Sequence, residues 1–143
     1  MIDVNKQVRT AIVSLLDGAV TIDGVPVPCY HWQNPAESDE LYIVLHTQTG
    51  ENNSNMAANE VIGTIMIDVV HLTDGSTFDT VDTVCNAVKT LLEPTVTGIG
   101  ITDPDGLQVW NFIWLSDNEQ PFYSESGNVM RRLMRYEYKV NIL

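Results

Sequence analysis

The residues able to do chemistry in this 143-residue chain are three histidines, two cysteines and nineteen acids. His31, His46 and His71 do not share the i, i+4 spacing that sets two imidazoles on one helix face around a metal. Each reads as a structural or solvent-facing histidine. Cys29 and Cys85 lie far apart and lack the paired spacing of a metal site. They read as two buried thiols in a reducing compartment. Asp103-Pro104-Asp105-Gly106 has the start of a calcium loop but neither its third ligand nor its closing glutamate, which leaves a plain turn. Ser76, Thr77 and Asp79 read as helix capping rather than as a nucleophile with its base. The chain has no phosphate-cradling glycine loop and no nucleophile elbow. Its carboxylates fall mainly in predicted loops, where an acidic surface is solvated. The sequence therefore predicts no enzyme, no cofactor and no metal site.

Charge narrows the remaining classes. Nineteen acids against seven bases give a net charge of -12. That excludes a nucleic-acid binder working through a basic footprint, and a polybasic membrane-surface protein. No apolar run is long enough to span a membrane, and Met1–Lys6 does not have the form of a secretory signal. Three of the seven bases, Arg131, Arg132 and Arg135, cluster on one predicted strand. Arg131 and Arg135 share a face and Arg132 takes the other. Copies of so acidic a chain repel one another. A positive strip facing a neighbour's Glu or Asp would offset that repulsion, so these arginines are expected at a subunit interface.

The elements that must position these residues follow from periodicity. Hydrophobic residues make up 44% of the chain and charged ones 18%, as in a globular chain of one domain, residues 1–143. Residues 3–17 predict a helix capped by Asp3, with Val4, Val8, Ala11, Ile12, Leu15 and Leu16 on one stripe and Gly18 past its end. Ala19–Ile22 predicts a short strand before an Asp23-Gly24 turn. Pro26 and Pro28 confine the next segment to a sheet edge. Residues 33–40 read as an acidic loop and Leu41–Thr49 as a strand. Gly50–Asn55 reads as a mobile loop or the tip of a long hairpin. Glu60–Leu72 is apolar on both faces and predicts a central strand covered on both sides. A second helix, with its stripe from Phe78 to Leu92, is capped by Ser76 or Thr77 and stopped by Pro94. Leu107–Leu115 predicts a strand, 116–127 a long acidic loop, and Asn128–Leu143 a last, cleanly alternating strand. This order gives the α+β class: a mostly antiparallel sheet of about five to six strands packed against two helices.

Two features point outward. At about 3.3 Å per residue the strands over 60–72 and 128–143 would run roughly 43 and 53 Å. A domain of this length is on the order of 37 Å across, so such strands must bend or overhang and meet another subunit. The apolar ending Val140-Asn141-Ile142-Leu143 is expected to be paired in a sheet or held at an interface. Polar loops at strand ends carry contacts on rigid scaffolds. Glu51, Asn52 and Asn53 in the first loop, and Glu119, Phe122 and Tyr123 in the second, are therefore expected to reach neighbouring subunits.

The layout resembles a known group. The helix ending Leu15-Leu16-Asp17-Gly18, the proline-containing segment leading to Leu41-Tyr42-Ile43-Val44, the long Ile65-Met66-Ile67-Asp68-Val69-Val70 strand, helix 78–92 and the two closing strands look like the tail-terminator (tail-completion) proteins of long-tailed bacteriophages. The loop at 116–127 does not match the family pattern. The resemblance implies a non-enzymatic virion subunit, assembled in the host cytoplasm into a hexameric ring. Such a ring caps the tail tube and joins it to the head connector. DNA would pass its lumen without specific binding, and an acidic lumen repels phosphate. Two other readings remain at this level: a neck or stopper subunit, and a small-molecule binding domain with Trp110, Phe112, Trp114 and Tyr136 as an aromatic pocket.

Overall fold

The Asp3 carboxylate opens the first helix by accepting the Lys6 amide hydrogen at 3.1 Å. From there α1 runs Val4–Leu16 and buries Val4, Val8, Ile12 and Leu16. It ends at Asp17, whose N–H returns to Val13 O at 2.8 Å, and Gly18 follows in the left-handed region at φ 79°. The computed structural model describes residues 3–31, 40–52, 54, 59–92 and 107–142. The expectations for 33–39, for Asn53, for Pro94 and for the turn at 103–106 fall outside these residues. After α1 the chain makes a hairpin, β1 (Thr21–Ile22) and β2 (Val25–Pro26). Asp23 and Gly24 both take positive φ, 51° and 79°, the backbone of a tight two-residue hairpin turn.

The remaining strands form one five-stranded sheet. They are β3 (Cys29–His31), β4 (Leu41–Asn52), β5 (Glu60–Thr73), β6 (Leu107–Phe122) and β7 (Asn128–Ile142), with α2 (Asp79–Leu92) between β5 and β6. Their order is β3-β4-β5-β7-β6. Every pairing is antiparallel except β3 with β4. The class is α+β, as the periodicity predicts. Both helices pack on one face, where Ile65, Ile67 and Val69 of β5 and Met134, Tyr136 and Tyr138 of β7 join the helix stripes in one core.

Four expectations need correction. The strand begun at Leu41 does not stop at Thr49: it pairs with β5 through Gly50, Glu51 and Asn52, past a bulge between His46 and Thr49. The 116–127 loop does not exist as such. β6 continues to Phe122, paired with β7 across from Arg135 to Val129, and only a short turn remains. β6 is an edge strand whose distal half, from Ile113 on, is largely exposed on both faces, so that half carries no alternation, and its Pro121 is tolerated there. Helix α2 starts at Asp79, after Ser76 and Thr77; the Phe78 carbonyl accepts the first helical N–H, from Asp82, at 2.7 Å. Finally, no helix among the described residues covers the second face of β5. Asp68 and Val70 are buried there, flanked across the strands by Tyr42, Arg131 and Leu133, which is why the run reads as apolar throughout. The C-terminal strand is paired as far as Ile142, whose N–H reaches Asn59 O at 2.9 Å.

One close approach fixes the register of β5 on β7. Gly63 lies opposite Tyr138, and a Cβ on Gly63 would sit 2.3 Å from the Tyr138 ring. The ring fills that space and is fully buried. Its hydroxyl donates to Asn5 Oδ1 at 2.6 Å and accepts from Gln48 Nε2 at 2.9 Å, which ties α1 and β4 to β7. Burial pushes the phenol up to about 12, so it stays protonated. Gly63→Ala must displace this ring. The expected loss is about 1–3 kcal/mol, read as a lower midpoint in chemical denaturation. An unchanged midpoint would show that the ring is free to move.

Candidate interaction surface

The strands outrun their cover. The 13- and 14-residue helices span about 20 Å each at 1.5 Å per residue. The 16 residues of β6 span roughly 50 Å. What is left over is the distal half of β6. Seven large hydrophobics are exposed among the described residues, and five of them, Ile113, Trp114, Leu115, Phe122 and Tyr123, fall on this segment and its turn. The outer edge of β6 bonds no other strand among the described residues. A long, apolar, unpaired edge is a template for another chain unless something covers it.

The segment is held rigid from behind. Asp117 of β6 accepts from Lys89 Nζ at 2.7 Å, from Arg132 Nη2 at 2.6 Å and from Trp114 Nε1 at 3.1 Å. Arg132 also reaches Asp82 on α2 at 2.9 Å. The Lys89 ammonium lies 4.6 Å from the Trp114 ring centre. These contacts clamp β6, β7 and α2 into one block. Burial alone would raise the Asp117 carboxyl, but the hydrogen bonds from Arg132, Lys89 and Trp114 outweigh it and hold the group below its usual 3.8. At the far end, Ser124 Oγ donates to Gly127 O at 2.6 Å and closes the turn.

The sequence-predicted residues divide. Glu119 and Phe122 are exposed on β6 and Tyr123 is exposed in the turn after it. Glu51 and Asn52 are exposed at the end of β4. Glu51 lies across from Ile62 and so from Lys139, whereas Phe122 lies across from Val129. The two groups therefore sit at opposite ends of the sheet and are not brought together within one chain. The arginines are corrected in part. Arg132 is held by Asp82 and Asp117. Arg131 pairs with Asp68, the one charged residue buried among those described, which also meets His46 Nε2 at 3.3 Å. A buried carboxylate demands a partner, so the nearest guanidinium is drawn inward. Arg135 alone of the three has no ion-pair partner among the described residues.

The other groups with reactive chemistry are tied into the fold. Cys29 and Cys85 are free and buried, and burial pushes both thiols up to about 12. Burial lowers the His31 and His71 pKa values. Phe112 and Tyr136 are buried in the core with ring centres 5.1 Å apart, and Trp114 lies half exposed beside them. They line an open cleft of about 480 Å³ between α2 and β6, not an enclosed pocket. The side chain of Trp110 falls outside the described residues. Sequence reasoning missed Asp68, Asp82, Lys89 and Asp117. An acid inside the apolar run Ile65–Val70 was the available signal for Asp68.

Two measurements check this division. Arg131→Ala leaves the Asp68 carboxylate short of its main partner and is expected to cost up to about 3 kcal/mol. Arg135→Ala is expected to stay within about 0.5 kcal/mol of wild type. Equal effects in thermal melts would contradict the placement. Because the Asp117 pKa is depressed in the folded state, its contribution is present above pH 3.8 and is lost as pH falls through the folded value. Asp117→Asn should lower stability at neutral pH, and the gap to wild type should shrink as pH falls below 3.8.

No family model matches the chain, and no curated protein resembles it in sequence. A solved chain from the virion of a native gene transfer agent particle shares its fold, with a TM-score of 0.58 at 16% identity. The match covers 95% of this chain and 90% of that one. The likeness is one of fold.

Proposed function

We propose that this chain is a structural subunit of a phage-like virion. In this reading it assembles into a ring, hexameric in the tail-terminator pattern, that closes the tail tube and joins it to the head connector. The observation that carries the reading is the clamped distal half of β6, where exposed apolar residues bracket a polar stretch and the outer edge is unpaired among the described residues, a surface suited to another chain rather than to a small molecule. The fold it shares with a gene transfer agent virion chain supports the same class. The subunit is not an enzyme in this reading. Its reactive side chains serve packing and charge pairing, and its partners are copies of itself, the tube protein and the connector. It works in the virion after assembly in the host cytoplasm. The charge of -12 suits a ring that lets DNA pass without holding it.

Native mass spectrometry, alone and with tail-tube protein, tests this directly. Six copies are expected. Twelve would favour a neck connector, and a monomer or dimer under both conditions would overturn the assembly reading.

A further inference from the structure

The sheet has two edges, and their chemistry differs. β6 closes one side with its whole outer edge unpaired among the described residues. On the other side β3 covers only Ile43–Leu45 of β4, so that the outer edge of β4 from Gln48 to Asn52 is also unpaired among the described residues. Strand directions alternate from β4 through β5 and β7 to β6. A second copy laid beside the first in the same orientation therefore brings its β4 antiparallel to β6, the more stable pairing. The helices of both copies then lie on the same face of one continuous sheet.

The two edges also differ in the bases they carry. The exposed segment of β6 and its turn carry Asp117, Glu119 and Glu125 and no base. Asp117 is already paired; Glu119 faces the helix side, across from Arg132, and is exposed. The opposite edge carries Lys6 and Arg9 on α1, with Arg9 Nη1 bonded to Gln48 of β4 at 2.9 Å. Lys6 is exposed, and two exposed acids share that edge: Asp3, which caps α1 beside Lys6, and Glu51, which lies within the β4 segment. A neighbour's α1 laid over the exposed half of β6 covers Trp114 and brings Lys6 and Arg9 toward Glu119.

The edges are also staggered. Asp117 lies across from Met134, while Gly50 lies across from Gly63 and so from Tyr138, four residues further along β7. A pairing of Asp117 with Gly50 of the next copy would therefore shift each copy by about 13 Å at 3.3 Å per residue. A repeated offset is the shear that a sheet needs in order to close on itself.

We infer that copies of this chain join head to tail through their backbones, the outer edge of β6 pairing with the outer edge of β4 (Gln48–Asn52) of the next copy. The inference rests on the self-assembly reading above and adds the edges and their polarity. A head-to-tail contact leaves a free β6 at one end and a free β4 at the other until a ring closes.

Cysteine pairs test the polarity. The two native cysteines are buried, so cysteines placed at Asn118 on β6 and at Thr49 or Glu51 on β4 report surface contacts. In the full-length chain under mild oxidation, a variant with one cysteine on each edge is expected to give a ladder of covalent multimers on a non-reducing gel. Either single cysteine should give monomer only. A covalent dimer from Asn118→Cys alone would mean that β6 pairs with β6 about a two-fold axis, and the inference fails. Charge reversal supplies the second measurement. Glu119→Lys should raise the concentration for half-assembly by about tenfold while leaving the subunit's thermal midpoint unchanged, and Lys6→Glu in the same chain should restore it. If wild type assembles but no ladder forms and reversal changes nothing, the ring reading stands and this interface is wrong. If wild type stays monomeric with and without tube protein, both fall.

Discussion

The ladder between β5 and β7 runs from Glu60 opposite Asn141 to Thr73 opposite Asn128 without a shift, and the other elements take their positions from it. Side chains alternate across a strand, so this one register decides which residues meet the helices. Ile65, Ile67 and Val69 of β5 and Met134, Tyr136 and Tyr138 of β7 form the floor on which α1 and α2 sit. A slip of one residue would bring Arg135, Glu137 and Lys139 into that floor. The fit of Tyr138 over Gly63 opposes such a slip, since no other residue of β5 leaves room for the ring.

The same register explains the arginines. Adjacent positions on β7 face opposite ways, so Arg132 rises toward Asp82 and Asp117 while Arg131 drops toward Asp68 on the face away from the helices. Each face of the sheet thus carries a charged clamp beside an apolar field. Three of the chain's seven bases, Lys89, Arg131 and Arg132, are engaged in these clamps. The surplus of acids is left to the outer surface.

What the sequence made legible was local. The stripe of α1, its Asp3 cap, the Asp23-Gly24 turn and the alternation of β7 are written in neighbouring residues, and the structure has them. The distal half of β6 was not legible. Ser116-Asp117-Asn118-Glu119-Gln120-Pro121 has neither alternation nor β-branched residues, because both of its faces meet solvent, and its pairing is supplied by β7. The ends of that run, Trp114-Leu115 and Phe122-Tyr123, were the signal available: apolar pairs bracketing a polar stretch of strand length. Glu119, Phe122 and Tyr123 are exposed as expected, but on a rigid edge and its turn rather than on a long loop. The partners of Asp68 were beyond reach, since Arg131 lies 63 positions away. The parallel pairing of β3 is likewise a tertiary outcome with no local cue.

A long open edge bracketed by exposed apolar residues would recruit strands indiscriminately if nothing opposed it. Two features of the chain do. The charge of -12 keeps copies apart at a distance, and Glu119 places a negative group on the exposed strand itself. Repulsion of this kind does not forbid association; it raises the cost of every orientation that fails to present a base. Since Arg131, Arg132 and Lys89 are already paired within the chain, few bases are left to present, and Lys6 and Arg9 are the ones beside an edge that is unpaired among the described residues. The internal clamps therefore act on association as well as on stability. By pairing basic groups within the chain, they leave the acidic edge fewer orientations in which it can be satisfied.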